Sequence, residues 1–187
     1  MIQKREYYGF RLKQRKDPGT VSSFVFTSGP KDIIEWSCVD RLAERREGIQ
    51  RRISDARLRA IRRFFSLDPV NMIPTSIVLA FQPGTASFTP FSEEKVKNMR
   101  IEPGKLLSDF CEWGILSFEF DPEKPEKERP AFVVDGQHRL LGMAGVEDEN
   151  LPVLVSALLG AELMNRHFSL SSSTTRLPKC LPILCVH

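Results

Sequence analysis

Phe132-Val133-Val134 is an unbroken apolar run, and at Gly136 the hydrophobic period changes to that of a helix, with Leu140 and Leu141 in its first turns. A continuous apolar run bounded by a turn signal reads as a buried strand, and the spacing beyond it as a helix. A buried strand feeding a helix needs a sheet for that helix to cover, so this switch constrains the architecture more than any other feature. The expected class is α+β.

The neighbouring segments agree with a mixed sheet. Tyr7–Gln14 and Val21–Ser28 are aromatic or β-branched runs separated by Asp17-Pro18-Gly19, a turn in which proline presets φ and glycine supplies freedom. They predict an N-terminal hairpin, stopped at Gly29-Pro30. Lys31–Ser37 follows as a short helix with proline at its first turn. Val39–Leu67 reads as helical with a break at Gly48; Ser54 is placed to cap the second part, with Asp55 in its first turn. Leu58, Ile61 and Phe65 form its expected buried stripe, and Asp68-Pro69 ends it. Ile77–Phe81, Ile115–Phe120, Ala131–Val134 and Leu151–Leu159 read as strands, and Ser92–Met99, Gly136 to about Val146 and Ala161–Phe168 as helices. Residues 121–130 are charged and proline-rich, a solvent-exposed loop. Trp36 and Trp113 are expected in the core.

Composition bounds the rest. With 187 residues, 41% hydrophobic and 27% charged, the chain suits one globular domain. No apolar run approaches the roughly 20 residues that span a bilayer, and the charged start Met1-Ile2-Gln3-Lys4-Arg5-Glu6 is not a secretory signal. Both point to the cytoplasm and to no membrane partner. Cys38, Cys111, Cys180 and Cys185 are scattered, and the group Cys180, Cys185, His187 lacks a fourth ligand, so no metal site is expected. The net charge of +3 hides an asymmetry: residues 1–66 hold sixteen Lys and Arg against eight Asp and Glu, and residues 67–187 hold eleven against sixteen. The basic half, with nine arginines between Arg41 and Arg63, is where a polyanion would bind. Arg59, Arg62 and Arg63 are the candidate DNA contacts, and a solvated helix face with pairs such as Asp55–Arg59 is the competing reading.

The chemistry gathers at Asp135-Gly136-Gln137-His138-Arg139. Glycine at a strand-to-helix turn lets the backbone approach a ligand closely. The helix that follows presents N–H groups outside its own ladder and a positive dipole end, which favour an anion. Arg139 supplies a planar, permanently charged fork that matches a phosphate. His138 can donate a hydrogen bond or carry a proton, and Asp135 can tie down the turn. The bland alternative is a common Asp-Gly turn with a capping carboxylate and a solvated arginine. No Gly-x-x-x-x-Gly-Lys loop is present, and no nucleophile elbow surrounds any serine, His167 being an ordinary polar residue.

These five residues match the signature of the DGQHR-domain family, and the chain resembles its DndB-like members of DNA phosphorothioation systems and its DpdB-like members of deazaguanine DNA-modification clusters. More distantly it resembles the ParB/sulfiredoxin superfamily, in which a strand-to-helix Gly-x-x-Arg element contacts nucleotide phosphates. Gly48-Ile49-Gln50-Arg51-Arg52, the arginine-rich helix Ser54–Phe65 and the run Ile73–Val78 resemble the family's Gln-Arg element and first core strand. Leu151-Pro152-Val153 resembles the strand after the motif helix, and Phe168–Pro178 a later segment, with serines where members carry asparagines. The likeness covers about residues 24–178 of a single domain, 1–187.

The resemblance implies a compact ParB/sulfiredoxin-like mixed sheet with packed helices. It implies binding of ATP or another NTP, with Mg2+, through Gly136, Gln137, His138 and Arg139, and with Gln50 and Arg51 facing the same cleft. Asp135 and His138 would be the catalytic pair in a slow NTP hydrolysis. DNA and other DNA-modification proteins are the implied partners. Two alternatives stand beside it: a DNA-binding regulator without catalysis, and a ParB-like nuclease, for which no second carboxylate lies beside Asp135 in sequence. The last twenty residues carry no carboxylate side chain and end apolar, so the C-terminal part of the domain is expected to be incomplete and the chain poorly soluble or self-associating through that end.

Overall fold

The computed structural model describes residues 1–13, 22–39, 53–99, 110–147 and 151–160. The Asp17-Pro18-Gly19 turn, the first part of the predicted helix 39–67 and the predicted helix 161–168 lie outside the described residues.

Among the described residues the chain runs β1 (Gln3–Lys13), β2 (Ser22–Ser28), α1 (Pro30–Trp36), β3 (Ser37–Cys38), α2 (Asp55–Leu67), β4 (Ile77–Phe81), β5 (Ala86–Pro90), α3 (Glu93–Asn98), β6 (Cys111–Phe120), β7 (Ala131–Asp135), α4 (Gln137–Ala144) and β8 (Val153–Leu159). The class is α+β, as expected. The strands form one eight-stranded mixed sheet in the order β3-β7-β4-β8-β2-β1-β6-β5. β3 lies parallel to β7 and β4 parallel to β8; the other neighbours are antiparallel. The predicted hairpin is present, with Phe10 opposite Val25. α3 is capped by the Ser92 side chain, which accepts from the Lys95 N–H.

The sheet curls on itself. β4 and β6 are separated by β8, β2 and β1, yet the Phe81 and Phe118 rings lie 5.0 Å apart. The Trp36 side chain of α1 fills the space they enclose, 5.8 Å from Phe81 and 4.8 Å from Phe118. Its indole N–H donates to the Tyr7 hydroxyl at 2.9 Å, so the largest core residue leaves no unpaired donor. Burial pushes the Tyr7 phenol up from its ordinary pKa. Period-2 patterning feeds this core: Phe24 and Phe26 of β2, Leu116, Phe118 and Phe120 of β6, and Val153, Val155 and Ala157 of β8 point inward in alternation. Trp113 departs from expectation. It is half-buried beside Phe10, 5.4 Å away, because its odd-numbered alternation on β6 puts it on the outer face.

Two glycines permit the curl. Gly9 of β1 and Gly114 of β6 are ladder partners. A Cβ at Gly9 would stand 2.1 Å from the Val25 carbonyl oxygen, and one at Gly114 2.3 Å from that of Thr89. Backbone cannot yield as a flexible side-chain tip can, so glycine is required at both points. Gly114→Ala should therefore cost about 1–3 kcal/mol of stability, read as a lower urea midpoint. An unchanged midpoint would show that the close approach is not part of the fold.

On the same face as Tyr7 and Leu116, toward the end of the strands, Arg11 and Lys13 of β1 pin Glu112 of β6: Arg11 Nε donates to Oε2 at 2.8 Å and Lys13 Nζ to Oε1 at 3.4 Å. Burial works to raise the Glu112 carboxyl, but the hydrogen bond and charge of Arg11, joined by Lys13, outweigh it and hold it below the usual carboxylate range. The loop after β6 is also tied down. Arg129 Nη1 donates to the carbonyls of Ile34 at 2.7 Å and Ser37 at 3.0 Å, which close the C-terminal end of α1.

α1 and α4 pack beside one another on the core side, where Ile33, Trp36, Leu140 and Met143 are buried. α2 lies on α4 rather than on the sheet. Its expected buried stripe, Leu58, Ile61 and Phe65, is consequently only half-buried, since a helix packed on another helix keeps its flanks in solvent. No helix among the described residues is long and apolar enough to cross a membrane.

Candidate functional site

The strand-to-helix turn is built by three local devices. The first is a register shift between Val78 and Leu79, where Leu79 faces Val133 but Val78 faces Asp135, so that Val134 is an extra residue on β7. In unbroken alternation Asp135 would share the inward face of Ala131 and Val133. The extra residue turns it out, and its side chain is 71% exposed. The second device is Gly136, with φ +91°, a conformation that costs a side-chain-bearing residue about 1–2 kcal/mol. A Cβ there would also stand 2.8 Å from Ile77 Cδ1. The third is α4, which begins at Gln137 and whose Leu140 N–H is bonded to the Gly136 carbonyl at 2.8 Å.

Arg139 is held at this helix start. Its Nη1 donates to the Thr75 hydroxyl and, at 2.9 Å, to the Ser76 carbonyl; its Nη2 donates to Asp135 Oδ2 at 2.6 Å. The guanidinium thus links α4 to the segment that enters β4, and it is only 23% exposed. Asp135 is the exposed member of this arrangement, with its carboxylate mostly in water, while Thr75 and Ser76 belong to the backbone run into a buried strand. A cation is thereby fixed beside the positive end of a helix, with one exposed carboxylate balancing it.

His138 faces another partner. Its Nε2 accepts the backbone N–H of Ser54 at 3.0 Å. Ser54 stands at the N-cap of α2, but its hydroxyl makes no cap bond; the imidazole serves the N-terminal N–H instead. Four and seven residues further along α4, glycines continue the same docking line. A Cβ at Gly142 would stand 2.8 Å from Ile61 Cβ, and one at Gly145 2.3 Å from Arg62 Nε. Arg62 therefore lies over the C-terminal end of α4, where a cation meets the negative end of the helix. His138→Leu should free the Ser54 amide at a cost of about 1–3 kcal/mol. Hydrogen exchange at Ser54 would then quicken while that of the β6 core stays slow; unchanged exchange at Ser54 would show that the imidazole does not hold it.

The other sequence-predicted residues distribute as follows. Gln137 is buried at the first position of α4. Gln50 and Arg51 lie outside the described residues. Arg59 and Arg63 are exposed on α2, and no ion pair joins Arg59 to Asp55 among the described residues. Arg62, grouped with them from sequence, is exposed too, with its guanidinium beside Gly145. Sequence reasoning missed Thr75 and Ser76 as the holders of Arg139, for which no local signal exists. It also missed the Gly142-x-x-Gly145 spacing, which marks the seat of a closely packed helix. No group of three metal-ligating side chains occurs among the described residues.

Comparison with protein-family models, curated proteins and solved structures finds no match for this chain.

Proposed function

We propose that the chain is a nucleotide-binding protein of the DGQHR type that takes a phosphate of ATP or another NTP at the turn Asp135–Arg139. The observation that carries this reading is the fixed Arg139 guanidinium at the start of α4, paired among the described residues with the exposed Asp135. A phosphate can replace that carboxylate on the fork without disturbing the bonds to Thr75 and Ser76. The start of α4 adds a favourable dipole. The fold on this reading is ParB/sulfiredoxin-like, and its setting is DNA modification, both as the sequence resemblance implies.

The residues fit Mg2+ only as a passenger of the nucleotide. Asp135 is one carboxylate, and magnesium is commonly held by one or two carboxylates together with substrate phosphates. Released from Arg139, Asp135 could hold such an ion, while Arg139 keeps the phosphate.

Binding is better supported than hydrolysis. His138, the expected proton carrier, has Nε2 committed to the Ser54 N–H, so proton transfer through that nitrogen would require α2 to release it. We therefore place His138 as a positioning residue that ties the motif to the arginine helix, and Asp135 as the group that orients Arg139. Equilibrium binding of nucleoside triphosphates, with and without Mg2+, tests the reading. Saturable binding supports it, and turnover without a Ser54–His138 contribution would return His138 to a catalytic role.

A further inference from the structure

We infer that the outer face of α2, with the turn that follows it, docks an acidic and apolar-sided segment of a partner protein. The inference is independent of the nucleotide reading. At the C-terminal end of α2, Leu67, Val70 and Met72 are 68%, 80% and 68% exposed, and Phe64 38%. Single exposed apolar residues are ordinary, but four within the nine residues Phe64–Met72 mark a contact surface. The element is ordered because the turn folds back on the helix. Asn71 Nδ2 donates to the Phe64 carbonyl at 2.7 Å, the Asn71 N–H to the Asp68 carbonyl at 3.1 Å, and the Val70 N–H to Asp68 Oδ1 at 3.0 Å. The backbone that carries these exposed side chains is thus held in place from Phe64 to Asn71.

Charge selects the occupant. α2 carries four arginines and one aspartate, and Arg59 and Arg63 remain exposed beside the apolar group. A second copy of this chain laid face to face would set arginine against arginine. Residues 163–187 of the chain itself contain no Asp or Glu but three basic residues, so they do not complement the surface either. A nucleic-acid backbone would satisfy the arginines and leave Leu67, Val70 and Met72 against phosphate. An acidic segment with an apolar face satisfies both, in the manner of an amphipathic helix laid on a mixed surface.

The test is selection of a phage-displayed random peptide library on the full chain, followed by affinity measurement of a synthetic copy of an enriched peptide. Leu67→Asp and Arg63→Glu serve as comparison proteins. Both positions are exposed, so circular dichroism should match the parent. The expected result is enrichment of peptides with Asp or Glu flanking apolar residues at helical spacing, and an affinity about tenfold or more weaker for either variant, equivalent to about 1.4 kcal/mol. Duplex DNA and concentration-dependent light scattering are run alongside. The inference is overturned by an absence of enrichment, or by enriched peptides that bind Leu67→Asp as they bind the parent. It is equally overturned if DNA binds with loss in Arg63→Glu but not in Leu67→Asp, or if the parent self-associates and Leu67→Asp does not.

Discussion

Trp36→Ala should destabilise the folded chain by about 3–5 kcal/mol. Trp36 is wholly buried, stacked on Phe81, tilted against Phe118 and Tyr7, and bonded through its indole N–H to the Tyr7 hydroxyl. It is the residue around which distant strands of the sheet meet, so its removal leaves a cavity that a curled sheet cannot collapse without breaking its own ladder. Trp36→Phe separates the two contributions: it keeps most of the packing and leaves the Tyr7 oxygen with Ser28 Oγ at 3.3 Å. The expected order of urea midpoints is parent, then Phe, then Ala. A loss below about 1 kcal/mol for Trp36→Ala, the scale of an ordinary substitution, would show that the curl does not depend on this ring.

The second large effect concerns Arg139→Ala. A charge-assisted hydrogen bond contributes on the order of 1.5–3 kcal/mol, so nucleotide affinity should fall at least tenfold. The geometry adds a second consequence. Because the same guanidinium holds Thr75 and Ser76 at the entrance of β4, the variant should also lose stability, by about 1–3 kcal/mol. Arg139→Lys discriminates between them, since lysine restores a charge but not the fork that reaches Asp135 and the Thr75–Ser76 segment together. Affinity retained by lysine would point to a simple charge effect.

Much of the fold is legible in the sequence where a single element decides its own pattern. Phe24 and Phe26, or Leu116, Phe118 and Phe120, alternate because one face is buried, and Asp68-Pro69 ends α2 because proline cannot continue it. β5 escapes notice because Ala86–Pro90 is a half-exposed edge strand ending in proline, with little apolar pattern to read. The curl is not legible either. It depends on Gly9 and Gly114 standing opposite one another, and nothing in either local sequence announces its partner.

The same division holds at the site. The Asp-Gly turn and the helix after it follow from local chemistry, and the structure brings Asp135, Gly136, Gln137, His138 and Arg139 together at one helix start. The partners do not follow: Thr75 and Ser76 for Arg139, the Ser54 N–H for His138, and Gly145 for Arg62 come from remote stretches. Arg62 shows the limit most clearly. Its helical spacing groups it with Arg59 and Arg63, and it is exposed as they are, but nothing in its own stretch shows that its guanidinium lies beside a glycine of α4.

The central claim is that the turn Asp135–Arg139 binds a nucleotide phosphate, with Asp135 as the carboxylate that yields to it. Calorimetric titration of the full chain with a panel of nucleoside triphosphates and inorganic pyrophosphate tests this most directly, run on the parent, Arg139→Ala and Asp135→Asn. The account predicts saturable binding of at least one triphosphate by the parent, its loss in Arg139→Ala, and affinity retained or raised in Asp135→Asn, whose neutral side chain no longer competes for the guanidinium. No saturable heat with any triphosphate, or equal affinity in the parent and Arg139→Ala with both chains folded, would contradict it.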